Sequence, residues 1–349
     1  MDGYAVRASD TVGATGYAPV ALRFDGESMP GSAVGPGPGD GGAVRIMTGA
    51  PVPEGADAVL RAEDASDDGA TVEVRAPVAA GRNVGKIGED VAVGSEALPA
   101  GRRIGPAEAG VLAAVGAGRV QVHRRPRVRI VVSGDELLGP GERPSGTRIV
   151  DSNSPMLAAL VARDGGEVVE VARLPDGEEP MRAALSGPGA DVIVTAGAAS
   201  VGREDHTPSL VAELGTLDVH GVAMRPSSPA GIGRIGGRPV FLLPGNPVSC
   251  LVAYDFFAGP VIRVMGGGSE AWPYPIEVLP LARRVVSHIG RTDYVRVAIR
   301  GGAVEPLAVG GASVLTSVTR ADGYVIVPAG LEGYPEGAEV EVGRYRSGP

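Results

Sequence analysis

Residues 191–207 read DVIVTAGAASVGREDHT. An apolar run over 192–194 stops at Thr195 and empties into Gly, Ala and Ser, with Glu204 and Asp205 at the far side. Successive side chains of a strand point to opposite faces, so consecutive apolar positions mark a strand covered on both faces, as in a parallel sheet. The small residues that follow let backbone approach a flat or phosphorylated ligand closely, and the N–H groups of the next helix start face an anion. Carboxylates beside such a turn can hold a hard cation such as Mg2+, which bridges phosphate oxygens.

Working outward, the same alternation covers 126–268. Strand-like VRIVVS (128–133), EVVEVARL (167–174), DVIVTAG (191–197) and PVFLLPG (239–245) are separated by helix-like SNSPMLAALVARDG (152–165), EEPMRAALSG (178–187) and TPSLVAELG (207–215), and PVSCLVAYDFFAGPVIRVMG (247–266) closes the series. This is the pattern of a doubly wound, mainly parallel sheet with helices on both faces, whose ligands bind outside the carboxyl ends of the strands. Three strand ends carry unusual turns: Ser133, Gly134, Asp135 and Glu136; Gly197, Ser200, Gly202, Glu204 and Asp205; and Pro244, Gly245, Asn246, Pro247 and Ser249. The segment MRPSSPAGIG (224–233) is read as a loop over the same edge.

The flanks differ. Residues 1–84 read as short strands between turns, a small β-rich domain; 85–125 contain a helix over 106–117, opened by Pro106, in a helical linker domain; 269–349 return to β, read as a small barrel. The 349 residues thus divide into segments 1–84, 85–125, 126–268 and 269–349.

Gly (55) and Pro (30) supply nearly a quarter of the chain, and the 44% of hydrophobic residues between them argue for many tight turns rather than disorder. Net charge of −9 argues against a duplex nucleic-acid binder. A single cysteine, Cys250, permits no intrachain disulfide or cysteine-based zinc cluster, and its place in an apolar run makes it a small core residue. His123, His206, His220 and His288 have no metal-ligand spacing. No signal peptide and no uninterrupted apolar span of 18 residues are read, so a cytoplasmic protein without membrane contact is expected. Lys86 is the only lysine among 32 basic residues, so an Arg where relatives carry Lys means little.

In order along the chain, MDGYAV (1–6), RIMTGAPVPEGADAV (45–59), GED (88–90), SGDEL (133–137), DSNS (151–154), SVGREDHT (200–207), LPGNPVS (243–249) and GRTDYVR (290–296) resemble the molybdopterin molybdenumtransferases of the MoeA and gephyrin E-domain type. The resemblance covers the chain except a family segment before MDGYAV. It implies four domains, an elongated homodimer, and insertion of molybdate into adenylylated molybdopterin with release of AMP, assisted by Mg2+. A MogA-type adenylyltransferase is an implied further partner. Site roles carry over to Asp2, Thr48, Glu136, Asp205 and Arg225 in catalysis, with Glu136 and Asp205 as metal ligands. Pro244 and Pro247, Arg291, and Ser313 or Ser317 carry over as cofactor contacts, beside Ser133, Gly134, Asp135, Gly197, Ser200, Gly202, Gly245 and Asn246 of the turns. Asp2 and Thr48 are expected to reach the cleft from the partner subunit.

Three departures from the family pattern stand out. Ala196 and Ala198–Ala199 replace glycine and apolar positions, and Gly177 follows Asp176 where the family has two acids. RPSSP (225–229) keeps one cation, Arg225, and puts Ser228 in place of a second. A dianion here is expected to bind Arg225 and the hydroxyls of Ser227 and Ser228. The alternative reading is a catalytically impaired paralogue serving as a pterin-binding or scaffold protein; adenylyl transfer by the central domain alone is a third.

Overall fold

In the computed structural model, which describes residues 1–197, 206–307 and 311–345, contacts gather the chain into two compact units, Met1–Ala97 and Leu98–Pro349. The first unit is built on six strands: β1 (Gly3–Val6), β2 (Val20–Ser28), β3 (Gly42–Ile46), β4 (Ala58–Arg61), β5 (Ala65–Asp67) and β6 (Thr71–Val74). They form one sheet in the order β4-β1-β3-β2-β6-β5. All neighbours are antiparallel except β2 and β3. The two-residue side-chain period divides the sheet's apolar residues: Tyr4, Val6, Leu22, Leu60, Val72 and Val74 fill one cluster, and Ala5, Val44, Ile46 and Val59 a second.

The second unit begins with α1 (Pro106–Ala114), shorter at its C-terminal end than the 106–117 pattern. There follow β7 (Arg127–Ser133), a ribbon of β8 (Leu137–Leu138) and β9 (Ile149–Val150), α2 (Asn153–Arg163), β10 (Glu167–Leu174), α3 (Glu178–Ser186), β11 (Val192–Ala196) and α4 (Thr207–Leu214). Next come β12 (Thr216–His220), β13 (Met224–Arg225), β14 (Gly231–Ile235), β15 (Arg238–Leu243), α5 (Pro247–Ala253) and α6 (Gly259–Met265). A π-helical turn, Tyr254–Ala258, joins α5 to α6.

The sheet order is β10-β7-β11-β15-β14-β12. The first four strands are parallel and the last two antiparallel. The segment expected to be a loop over 224–233 therefore contributes β13 at its start and opens β14 at its end. Val128, Ile130, Val132, Val192, Val194, Phe241 and Leu243 point to a core shared with α2, α5 and α6, which also holds Cys250 at 0% exposure. Val131, Ile193, Val240 and Leu242 point to the opposite core, against Met181, Leu185, Leu210 and Val211 of α3 and α4. The apolar helix Pro247–Met265 is long enough to cross a membrane by length and composition, but 61% of it is buried as part of this core.

The rest of the unit is β: β16 (Ile276–Pro280), β17 (Val285–Val286), β18 (Thr292–Arg300), β19 (Ala303–Pro306), the short α7 (Thr316–Thr319), β20 (Gly323–Val327), β21 (Gly333–Tyr334) and β22 (Glu339–Arg344). The ladder order is β13-β18-β20-β22-β16, with β19 on β18. A bridge from Leu281 to Val304 links the end of β16 to β19. One face encloses Val295, Val297, Val304, Val325, Val327, Val340 and Val342. The other packs Tyr294 and Tyr324 against Val248, Leu251 and Val252 of α5.

Candidate functional site

Three strand-end turns meet at the carboxyl edge of the parallel sheet. After β7 the chain turns at Gly134, whose φ is +155°. A Cβ there would lie 2.6 Å from the Glu136 carboxylate, so glycine lets that acid fold back over the turn. Gly197, at φ +105°, is wedged more tightly: an added Cβ would stand 2.7 Å from the Ser133 carbonyl oxygen. A Cβ on Gly245 would in turn stand 3.1 Å from the Gly197 Cα. Ser133, Gly197 and Gly245 are thus in backbone contact, an approach that side chains would prevent. Residues 198–205 lie outside the described residues, and with them Ser200, Gly202 and Asp205.

The carboxylates at this edge are exposed. The Asp135 N–H donates to Asp176 Oδ2 at 3.3 Å, and the Asp176 N–H returns to Asp135 Oδ1 at 3.2 Å. These reciprocal bonds tie the end of β7 to the end of β10. Glu136 is exposed beside them. Among the described residues no three His, Cys, Asp or Glu gather as a metal cluster. A cation held by Glu136 would therefore complete its shell from substrate oxygens and water, the usual arrangement for Mg2+.

The third turn is anchored from α2. Asn153 Nδ2 donates to the Gly245 carbonyl at 2.8 Å, while its Oδ1 is buried without a hydrogen-bond partner among the described residues. The Asp151 carboxylate receives the N–H groups of Asn153 and Ser154 at 3.0 and 2.9 Å and so satisfies the first turn of α2. Pro244 is buried and Asn246 exposed. Pro247 opens α5, where a missing N–H costs nothing.

Two further segments converge on the start of α5. The Val248 N–H donates to the Ala312 carbonyl at 3.0 Å, which sets the turn carrying exposed Ser313 beside the helix start. Ser227 Oγ donates to the Ser249 carbonyl at 2.7 Å and is 3% exposed. That hydroxyl is committed to α5 and is not offered to a ligand, contrary to the sequence expectation. Ser228 is exposed. Arg225 and Arg291 both bond to the Asp293 carboxylate, each at 2.9 Å.

Sequence reasoning passed over Arg296. It is 2% exposed, forms no ion pair among the described residues, and donates to Ser317 Oγ. Burial pulls its guanidinium below the usual arginine range. An arginine inside the apolar run DYVRVAI was the available signal. Buried cations are normally paired, so this one is suited to an arriving anion.

Asp2 and Thr48 come together in the first unit. The Thr48 N–H and Oγ1–H both donate to Asp2 Oδ1, at 2.7 and 2.8 Å. These bonds, the backbone one foremost, hold the exposed Asp2 carboxyl below the ordinary range.

The chain matches three family models: the MoeA N-terminal region, domains I and II, over residues 1–116; a probable molybdopterin binding domain over 129–264; and the MoeA C-terminal region, domain IV, over 278–344. It is 35% identical over 357 residues to molybdopterin molybdenumtransferase 2 of Mycobacterium tuberculosis, covering 98% of this chain and 87% of that one. It is 34% identical over 353 residues to a putative molybdopterin biosynthesis protein of Methanocaldococcus jannaschii, covering 98% and 84%. A solved molybdopterin biosynthesis MoeA protein from Pyrococcus horikoshii OT3 superposes with a TM-score of 0.84 at 29% identity, over 99% of this chain and 86% of that one.

Proposed function

This chain belongs to the MoeA family of molybdopterin molybdenumtransferases, and we propose that it inserts molybdate into adenylylated molybdopterin with release of AMP, a step of molybdenum cofactor synthesis. The observation that carries the reading is the backbone contact of Ser133, Gly197 and Gly245 beside the start of α5. This edge, bare of side chains at Gly197 and Gly245, lets a flat, phosphorylated heterocycle approach the backbone closely.

In this reading the turns at 133–136, 197–202 and 244–247 receive the pterin and its phosphates. Arg225 and the exposed Ser228 and Ser313 receive the oxyanion beside Arg296 and Ser317, and Arg291 holds the neighbouring loop through Asp293. Glu136 and Asp205 would hold Mg2+, which when bound screens phosphate charge. Asp176 supports the Glu136 turn through its bonds with Asp135. Water attacks the phosphoanhydride, so that AMP leaves and the pterin keeps its phosphate; the two dithiolene thiols form two Mo–S bonds while one molybdate oxygen leaves as water with the two thiol protons.

The finer organisation belongs to the same proposal. Segments 1–84, 85–125, 126–268 and 269–349 act as four domains, the last a β-barrel closed through the Leu281–Val304 bridge. The chain works as a cytoplasmic homodimer in which Asp2 and Thr48 serve the partner's cleft, and a MogA-type adenylyltransferase supplies its substrate.

The test is AMP release from adenylylated molybdopterin with molybdate and Mg2+. Glu136→Gln should lower the rate by about 10²–10⁴-fold with an unchanged melting temperature. Equal loss of rate and stability would make Glu136 a structural residue, and no release from the unmodified protein would overturn the reading.

A further inference from the structure

The Asp293 side chain is 1% exposed and carries two guanidiniums at once. Arg291, two residues earlier, binds it with two N–H groups, Nε to Oδ1 at 2.9 Å and Nη2 to Oδ2 at 3.4 Å. Arg225 comes from β13, which lies parallel to β18 with Arg225 opposite Asp293, and binds with one N–H, Nη2 to Oδ2 at 2.9 Å. Two positive charges on one carboxylate leave a net charge of +1.

The two pairings are not equivalent. The Arg291 side chain is 29% exposed and that of Arg225 58%. If Arg225 departs, the buried carboxylate keeps a two-point partner; if Arg291 departs, it keeps a single bond to a largely solvated group. A single bond from a largely solvated guanidinium is a weak pairing, whereas a buried carboxylate left without its two-point partner is strongly disfavoured. Arg225 is therefore the detachable member. Two residues on, Ser227 fastens the loop to Ser249 in the first turn of α5, so the backbone of Arg225 is held next to the site whichever partner its side chain takes. Arg225 is also the only cation of the segment 221–230.

We propose that Asp293 is a positioning residue that keeps Arg225 in reserve at the strand-end site: a tetrahedral oxyanion competes with Asp293 for the guanidinium, and Arg225 changes partner while Arg291 keeps Asp293 paired. This rests on the reading above that the site takes molybdate. Its consequence is that the free protein binds oxyanion more weakly than the same loop would without the carboxylate, because the binding-competent arrangement is only fractionally populated.

Calorimetric titration of the full chain with molybdate, at two salt concentrations, tests it. Asp293→Asn should tighten binding about three- to tenfold and steepen its salt dependence, and Arg225→Gln should weaken it by about tenfold. Asp293→Asn should gain less than about twofold when Arg225→Gln is already present, since the competition is then gone. Asp293→Glu should restore the unmodified behaviour. An equal gain in both backgrounds overturns the proposal, as does an unchanged affinity in Arg225→Gln, whose exposed side chain makes loss of folding no explanation. AMP release in the same preparations separates the two readings. Release without a measurable effect of either substitution on molybdate binding overturns the reserve role alone; absence of release from the unmodified protein overturns the transferase reading.

Discussion

Asp2 Oδ1 accepts two hydrogen bonds from Thr48, and its folded pKa is lowered by the backbone N–H first and the hydroxyl second. A carboxylate with a depressed folded pKa contributes stability above its unfolded value and loses that contribution as pH falls through the folded value. Thr48→Ala removes only the hydroxyl bond. The Asp2 pKa should then rise part of the way to the ordinary range, so that the acid-side loss becomes smaller and is complete at a higher pH. NMR titration of the carboxyl carbon checks this; an unmoved pKa would assign the whole shift to the backbone. At Gly197 a methyl group meets the Ser133 carbonyl at 2.7 Å on a backbone of φ +105°. Gly197→Ala should cost about 1–3 kcal/mol in urea unfolding, and a neutral result would mean that the turn relaxes.

At the scale of the element, α3 ends at Gly187, whose N–H bonds back to the Ala183 carbonyl, and two arginines from the sheet take further carbonyls of this end. Arg129 of β7, 6% exposed, donates to the carbonyls of Ala184, Gly187 and Pro188, each at 2.8 Å. Arg238 of β15 donates to those of Gly187 and Leu185 at 2.6 and 3.1 Å. Cations at this end also oppose the negative pole of the helix. Arg129→Met should destabilise by about 2–4 kcal/mol, since it removes the donors to the Ala184 and Pro188 carbonyls and the partner of Glu170, while Gly187 keeps its bond from Arg238. Arg129→Lys should recover less than half of that, because an ammonium lacks the planar fork that spans three acceptors. Equal stability of the Lys variant and the unmodified protein would show that charge alone matters.

At the scale of the whole molecule, the chain's aromatic residues are unevenly placed. It has only one Trp, eight Tyr and four Phe. Phe256, Phe257, Trp272, Tyr274, Tyr294, Tyr324 and Tyr345 form one cluster between the helix α5–α6 and the C-terminal sheet. Trp272 stands edge-on to Phe256 at 4.8 Å, and Tyr294 stacks on Tyr324 at 4.6 Å. Arg163 reinforces the junction, donating to Asp255 at 2.7 Å while Tyr274 OH donates to the same carboxylate at 2.7 Å. Aromatic pairs add about 0.5–1.5 kcal/mol each beyond burial. The α/β sheet and the C-terminal sheet should therefore unfold together, with the fluorescence of Trp272 and the far-UV signal of that part coinciding. Tyr324→Ala should cost about 3–5 kcal/mol and split the transition. Two transitions in the unmodified protein would show that the junction does not couple the parts.

The local order of this protein is legible in its chain. Consecutive apolar residues in RIVVS and VFLLPG require cover on both faces, and the small-residue turns after them mark the ligand edge, because strand period and backbone sterics are short-range properties. What only the tertiary structure decided depends on residues that meet across long stretches of chain. The strand Thr216–His220 is short and Gly231–Ile235 carries two glycines: Gly233 is required because a Cβ would lie 2.4 Å from the Thr216 carbonyl and 2.5 Å from Val211 Cγ1, a packing demand that sequence propensity does not express. The charge at the site is likewise set by a partner 68 residues away. RPSSP shows one free cation, and only the pairing of Met224–Arg225 with β18 places buried Asp293 against it. Arg296 stands out in its apolar run, but only the assembled molecule, with Tyr294 of the same strand in the aromatic cluster, buries it, because burial is a property of the assembly and not of the residue.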